Sequence, residues 1–455
     1  MDMSGLLTDL YELNMAASYW RRGMTEPATF SLFVRQLPET RGFLVSAGVE
    51  HCLDYLQELR FDDEDLRYLR ETLGFTPRDL EAFRRFRFTG DVWAVPEGRI
   101  VLGGEPLVEV TAPLPEAQLI ETFLLNQVTY ETTIASKAAR CVIAARGRDL
   151  VDFAFRRTQG IEAGIDVARL SAMVGFVGTS NVEAARRFGL VAAGTMAHSY
   201  VEAFPTEIDA FRAFARDFPE RITFLVDTYD TIGGVGRAIS VIKELGLRGQ
   251  LGIRLDSGDL GELARRSRRL LDRSGIPHVR ILASGGLDEF QIDDLVRSGA
   301  PIDAFAVGTK MGVSADHPYL DTAYKLVCYG GRPVMKLSTR KVTAPGRKQV
   351  FRRSRPFGDL VALHDEAVPA GRGRLLEPLM TAGRRTGCRP SVAQSRGLFD
   401  ADLALLPKAA RDLRSPKSPP VRSSSALRRL SADTRRRLMG HARGASRHPL
   451  AKGRH

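Results

Sequence analysis

Leu251-Gly252-Ile253-Arg254-Leu255-Asp256-Ser257-Gly258-Asp259 joins an apolar run to a turn of carboxylate, hydroxyl and glycine residues, with one arginine inside the run. A short continuous apolar run that ends in polar residues is the pattern of a strand buried on both faces and opening into a loop. The pattern recurs along the chain. Leu150–Phe155 ends in Arg156-Arg157-Thr158, Leu190–Ala193 in Gly194-Thr195-Met196-Ala197-His198-Ser199, and Thr223–Val226 in Asp227-Thr228. Val279–Ala283 ends in Ser284-Gly285-Gly286 and Ile302–Val307 in Gly308-Thr309-Lys310, with Tyr324–Tyr329 as a seventh candidate. Helical segments separate the runs, and this alternation predicts a parallel sheet. In a barrel all the polar ends converge on one face. A doubly wound open sheet is the other arrangement of such units, and it leaves the decoration of every strand end unexplained. The expected fold is therefore α/β, a distorted parallel (TIM-like) barrel.

On the N-terminal side the rhythm differs. Thr8-Asp9 precedes a helical pattern to Trp20, Thr29–Leu37 alternates like a strand, and Phe43–Leu59 reads as a turn and an amphipathic helix. Short helices are expected over Phe61–Phe86, short antiparallel strands over Gly90–Val110, and a long helix over Glu116–Ala145. After Gly330 the chain turns basic and turn-rich, including Arg340 and Lys341, as if returning to pack on the first part. The expected division is 1–145 as an α+β domain, 146–330 as the barrel, 331–407 packing back on the N-terminal domain, and 408–455 as a basic, flexible tail in which Ser415–Ser425 reads as a linker and Ala426–Arg437 as a short basic helix.

The length of 455 residues and the 44% hydrophobic content allow a large core and two or three domains. No apolar stretch reaches the roughly 18 residues of a membrane span, and Met1-Asp2-Met3-Ser4-Gly5 has no signal-peptide character. A cytoplasmic protein is expected. Cys52, Cys141, Cys328 and Cys388 are too scattered for a zinc or disulfide framework. The net charge of +12 is local: from Lys408 onward 14 Lys and Arg face Asp412 and Asp433, leaving 52 basic and 52 acidic residues in the body. That tail has no aromatic residue after Phe399, so a base-stacking role, and nucleic acid as a partner, are not expected.

The strand ends carry the chemistry. Ser284-Gly285-Gly286 and Gly308-Thr309 can bring backbone N–H groups close to phosphate. Asp256 and Asp259 can serve ribose hydroxyls or magnesium, or either can cap a helix. Arg254, inside an apolar strand, needs an anionic partner, which a substrate carboxylate would supply. Together these features ask for a ligand with phosphates, a sugar and a separate carboxylate.

The blocks Thr8–Leu13, Phe30–Arg35, Gly194–Ser199, Arg254–Leu260, Tyr324–Leu326 and Met335–Leu337 resemble nicotinate phosphoribosyltransferase, in the right order from about residue 5 to 390. The resemblance implies transfer of phosphoribose from 5-phosphoribosyl 1-diphosphate to nicotinate, with magnesium, coupled to ATP hydrolysis through a phosphohistidine. On that implication His198 is the phosphorylated residue, and Tyr11, Thr195 and Arg254 hold nicotinate. Ser284, Gly285, Gly286, Gly308, Thr309 and Arg157 take the phosphoribosyl diphosphate, and Asp256 and Asp259 the ribose or metal. It also implies a barrel with a second α+β domain built from both chain ends, and a homodimer sharing residues such as Tyr11 between active sites. Nicotinamide and quinolinate phosphoribosyltransferases are the nearest alternatives; nicotinamide has no carboxylate for Arg254, and quinolinate has one more to satisfy.

Overall fold

The computed structural model describes residues 4–338 and 343–445. Its contacts divide the chain into two units. One holds the residues up to Thr132, Tyr319–Pro390 and the chain from Ala401 on; the other holds Thr133–Pro318 and Ser391–Asp400. The expected boundary near 145 thus moves into the helix Glu121–Ala145. Its apolar pattern runs on without a break, so nothing in the sequence marks the division.

The second unit is built on a parallel sheet of six strands, in the order Gly178–Thr179, Asp149–Asp152, Ala304–Val307, Arg280–Ala283, Gln250–Leu255 and Arg221–Leu225. The sheet curls into a half-barrel. Five of the six expected runs are strands here. All four residues of Ala304–Val307 are buried, as a strand covered on both faces must be. Leu190–Ala193 departs from expectation: only Ala192 bridges, to Thr179, and Val191 is 57% exposed. The pairing place belongs to the two-residue strand Gly178–Thr179, which is too short to show a period. Tyr324–Tyr329 lies in the antiparallel sheet of the other unit. The helices after the strands are capped by the polar residues that end those strands or follow them. Asp230, Asp259 and Asp288 accept backbone N–H groups at the starts of Thr231–Glu244, Leu260–Arg273 and Glu289–Arg297.

The first unit contains an antiparallel sheet in the order Arg332–Pro333, Thr322–Tyr329, Pro27–Val34, Pro106–Pro113, Asp91–Ala94, Glu377–Thr381 and Arg384–Arg385. Its members come from both ends of the chain, as expected. Phe30 stacks on Tyr324 at 4.7 Å between ring centroids, and Phe83 gathers the rings of Trp20, Phe61 and Phe75. A second sheet orders Arg372–Arg374, Lys348–Ser354, Phe357–Leu363 and Val421–Ser423. Buried Arg352 pairs there with Asp359 at 2.6 Å and Asp402 at 3.0 Å, which satisfies a charge that could not otherwise be buried.

The segment from 408 is not a free tail as far as Ala445. Val421–Ser423 pairs in parallel with Asp359–Val361, and Leu427 is 1% exposed within the core. Helix Ser425–Ala445 follows, with Leu427, Leu430, Thr434 and Leu438 turned inward at helical spacing. The excess of arginine in the composition conceals that stripe. Residues 446–455, and Arg340 and Lys341, lie outside the described residues. No described helix is long and apolar enough to cross a membrane.

Candidate active site

Arg254 is the hub of the strand ends. Its strand, Gln250–Leu255, sits between Arg221–Leu225 and Arg280–Ala283, so its side chain can reach neighbours on both sides. Nε donates to Ser284 Oγ at 2.8 Å, Nη1 to Thr195 Oγ1 at 3.0 Å and Nη2 to Asp256 Oδ1 at 2.6 Å. The guanidinium lies over the Phe153 ring, 5.3 Å from its centroid. With only 12% of its side chain exposed, it is a desolvated cation held in one orientation.

Asp256 binds the cluster together. Ser284 Oγ donates to its Oδ1, and Oδ2 lies 3.9 Å from His198 Nε2. Burial alone would raise its pKa; the Ser284 hydrogen bond and the Arg254 charge outweigh that and hold the carboxyl below its ordinary range. His198 opens the short helix His198–Glu202, and its Nδ1 is 3.1 Å from Thr228 Oγ1. If Nδ1 carries the proton and donates it to Thr228, Nε2 keeps a free lone pair on the side facing Asp256.

Asp227 was seen in the sequence only as a strand end, yet it shapes the site. Its Oδ2 accepts from the Asp256 backbone N–H at 3.0 Å and from Ser257 Oγ at 2.6 Å. Its Oδ1 is buried without a hydrogen-bond partner. Asp152 supports the neighbouring strand end, accepting from Ala154 N–H at 2.8 Å and Thr179 Oγ1 at 2.7 Å. Burial pushes its carboxyl up to about 6 against the pull of those two bonds.

The cleft above these groups has a volume of about 540 Å³ and is lined by Phe153, Arg156, Ser180, Thr195, His198, Arg254 and Asp256 among others. It brings together the expected Thr195, His198, Arg254 and Asp256, with Ser284 beneath. Phe153 and Arg156 were missed as site residues, Phe153 because it reads as one more apolar strand residue. Arg157 is exposed on the turn Phe155–Arg157 and, unlike Arg156, is not among the lining residues. Asp259 caps Leu260–Arg273 through Glu262 N–H at 3.0 Å, the structural task weighed for it.

Gly285 and Gly286 follow the Arg280–Ala283 strand with φ of +98° and +67°. A Cβ at Gly285 would meet the Asp256 carbonyl oxygen at 1.9 Å, so the loop passes where only glycine fits. Gly308 and Thr309 follow the next strand, and Lys310 beyond them pairs with Asp288 at 3.0 Å. Tyr11 belongs to the other unit, where it is 47% exposed and donates to Glu12.

Among the described residues no three His, Cys, Asp or Glu ligand atoms converge at these strand ends, so there is no all-protein metal cage. The orphaned Asp227 Oδ1 beside Asp256 is nevertheless a hard oxygen donor of the kind magnesium takes when substrate phosphates supply its other ligands.

Two family models match the chain: the nicotinate phosphoribosyltransferase N-terminal domain over residues 6–129, and the nicotinate phosphoribosyltransferase family over residues 149–349. Nicotinate phosphoribosyltransferase pncB2 of Mycobacterium tuberculosis is 47% identical, over 90% of this chain and 89% of its own. The Bacillus subtilis nicotinate phosphoribosyltransferase is 43% identical, over 84% and 80% respectively. The crystal structure of human nicotinic acid phosphoribosyltransferase superposes with a TM-score of 0.83 at 30% identity, covering 94% of this chain and 99% of that one. With this coverage and identity, the chain belongs to the nicotinate phosphoribosyltransferase family.

Proposed function

We propose that this protein joins nicotinate to 5-phosphoribosyl 1-diphosphate, forming nicotinate mononucleotide and diphosphate in the biosynthesis of NAD. Arg254 is the observation that carries the reading. A guanidinium has five N–H groups, and the three bonds to Ser284, Thr195 and Asp256 leave two for a carboxylate at the cleft wall. Phe153 supplies an apolar surface for a pyridine ring beside that charge.

The pyridine nitrogen attacks C1 of the ribose with its own lone pair. The N–C1 bond forms, the C1–O bond to diphosphate breaks, and both electrons leave with the diphosphate. No general base is needed. The protein's task is to align the ring and to hold the phosphates against the Gly285-Gly286 and Gly308-Thr309 loops. Magnesium, where Asp227 and Asp256 offer oxygens, would neutralise charge on the leaving diphosphate.

The finer reading is that ATP phosphorylates His198: Nε2 attacks the γ-phosphorus and ADP leaves. It is supported by the Thr228 contact at Nδ1, which leaves Nε2 as the nucleophilic nitrogen when Nδ1 is the donor. A homodimer in which Tyr11 serves nicotinate belongs to the same reading. The test is a product assay offering nicotinate, nicotinamide and quinolinate in turn with 5-phosphoribosyl 1-diphosphate. Mononucleotide from nicotinate alone supports the proposal, and preference for either other pyridine overturns it.

A further inference from the structure

Glu12, on the helix Leu10–Arg21, is 0% exposed, although glutamate is almost never fully buried without partners. Its partners are unusually many. Oε1 accepts from the Thr122 backbone N–H at 3.0 Å, from Thr122 Oγ1 at 2.8 Å and from the Tyr11 hydroxyl at 3.1 Å. Oε2 accepts from Thr8 Oγ1. Thr122 Oγ1 is also 2.8 Å from Asp9 Oδ2 and has one proton to divide between the two carboxylates. Thus the side chain fastens the first turn of Leu10–Arg21 to the first turn of Glu121–Ala145.

The Tyr11 bond is superfluous to that clamp. Tyr11 is the next residue back, with its ring largely at the surface and its hydroxyl turned to the buried carboxylate. An exposed tyrosine ordinarily samples several side-chain torsions, and a hydrogen bond at its far end restricts them. We infer that Glu12 is a positioning residue: its buried carboxylate holds the Tyr11 hydroxyl and thereby sets the ring that meets nicotinate. This rests on the reading of Tyr11 as a nicotinate contact. A ring oriented before the substrate arrives loses less freedom on binding, so the effect belongs in nicotinate affinity.

The groups facing Glu12 are Asp9 at the N-cap of its helix, Tyr11 on that helix, Glu121 on the helix it is fastened to, Tyr55 on Val49–Glu58 and Tyr324 on Thr322–Tyr329. Lys325 pairs with Glu121 at 3.4 Å. Burial first, and then the charge of Glu121, push the Glu12 carboxyl up to about 7, against the hydrogen bonds from Thr8, Thr122 and Tyr11. The ionised carboxylate is the stronger acceptor for Tyr11. Nicotinate KM should therefore rise as pH falls through 7.

The experiment measures steady-state mononucleotide formation by the full-length protein from pH 6 to 8 for Glu12→Gln, Tyr11→Phe and the double variant, with Thr122→Val to perturb the same carboxylate from the other helix and Tyr11→Ala to remove the ring. Expected are a roughly 3- to 10-fold rise in nicotinate KM for Glu12→Gln and for Tyr11→Phe, no further rise in the double variant, and kcat within about twofold throughout. The pH step in KM should vanish in Glu12→Gln. Thr122→Val removes one hydrogen bond that holds the Glu12 carboxyl down, so it should lower the melting temperature and move the KM step to higher pH. Wild-type KM and pH profile in Glu12→Gln, with Tyr11→Phe impaired, overturn the positioning role alone, as do multiplying effects in the double variant. Wild-type KM in Tyr11→Phe also overturns the role but leaves the Tyr11 reading, since the ring remains; wild-type KM in Tyr11→Ala overturns that reading. If Glu12→Gln does not fold, Glu12→Asp, which shortens the reach but keeps a titratable carboxyl, takes its place in the same cycle under the KM criteria alone.

Discussion

Replacing Arg254 by lysine keeps the charge and removes the fork. The native guanidinium spans Ser284, Thr195 and Asp256 at 2.8, 3.0 and 2.6 Å and retains two N–H groups for substrate. A lysine ammonium has three protons on one nitrogen, so it can keep Asp256 and give one bond to a carboxylate, but it cannot give two parallel bonds. Losing one charge-assisted hydrogen bond costs about 2 kcal/mol, which is a fall of roughly 30-fold in kcat/KM for nicotinate. Arg254→Ala removes both bonds and the charge; a loss of about 4 kcal/mol corresponds to about 1000-fold. Asp256 loses its cation in the alanine variant, but its side chain is 27% exposed and still accepts from Ser284, so folding should suffer by only about 1 kcal/mol. Radiolabelled nicotinate conversion, run beside a thermal melt, separates chemistry from folding. A folded Arg254→Ala protein with kcat/KM within threefold of wild type would refute the assignment of the carboxylate site.

Three other outcomes follow from the same geometry. His198→Asn should take no acid-labile label from γ-labelled ATP while still forming mononucleotide without ATP; label equal to wild type removes His198 as the acceptor. Asp152, raised from 3.8 to about 6 by burial, binds its proton more tightly folded than unfolded. Its contribution to stability is therefore full below pH 3.8 and lost as pH rises through 6, about 3 kcal/mol in all, and Asp152→Asn should flatten that part of a denaturation-versus-pH curve. A slope unchanged in the variant would assign the pH dependence elsewhere. Truncation before Ser415 removes the strand Val421–Ser423 and Leu427 and should lower the melting temperature sharply relative to the full-length protein. Equal melting temperatures would mean that this pairing adds nothing to stability.

What could be read from the chain follows the length and regularity of its signals. Apolar runs such as Leu251–Leu255 and Ile302–Val307 announced buried parallel strands, because a strand covered on both faces has no polar alternation to confuse it. Gly178–Thr179 was invisible, since two residues have no period, and the apolar run Leu190–Ala193 resembles a strand in its place although Val191 and Ala192 are exposed. The helix after Ser425 was legible as a short basic helix over Ala426–Arg437, but the arginines on its outer face hid the inward stripe that docks it. Within the site, Arg254 stood out as a charge in an apolar run. Phe153 did not, because a ring beneath a guanidinium is spelled like any core phenylalanine. Asp259 shows the converse: a carboxylate in a glycine turn serves a ligand or a helix end equally well on paper, and here it caps.

On the proposed function, one cleft holds the nicotinate carboxylate on Arg254 and the phosphate on the glycine loops. A crystal structure of the full-length protein with nicotinate mononucleotide tests it most directly. The carboxylate should lie within hydrogen-bond distance of Arg254, the pyridine ring against Phe153, and the 5′-phosphate on Gly285-Gly286 or Gly308-Thr309. A carboxylate bound away from Arg254, with that guanidinium still engaged only by Ser284, Thr195 and Asp256, would contradict it.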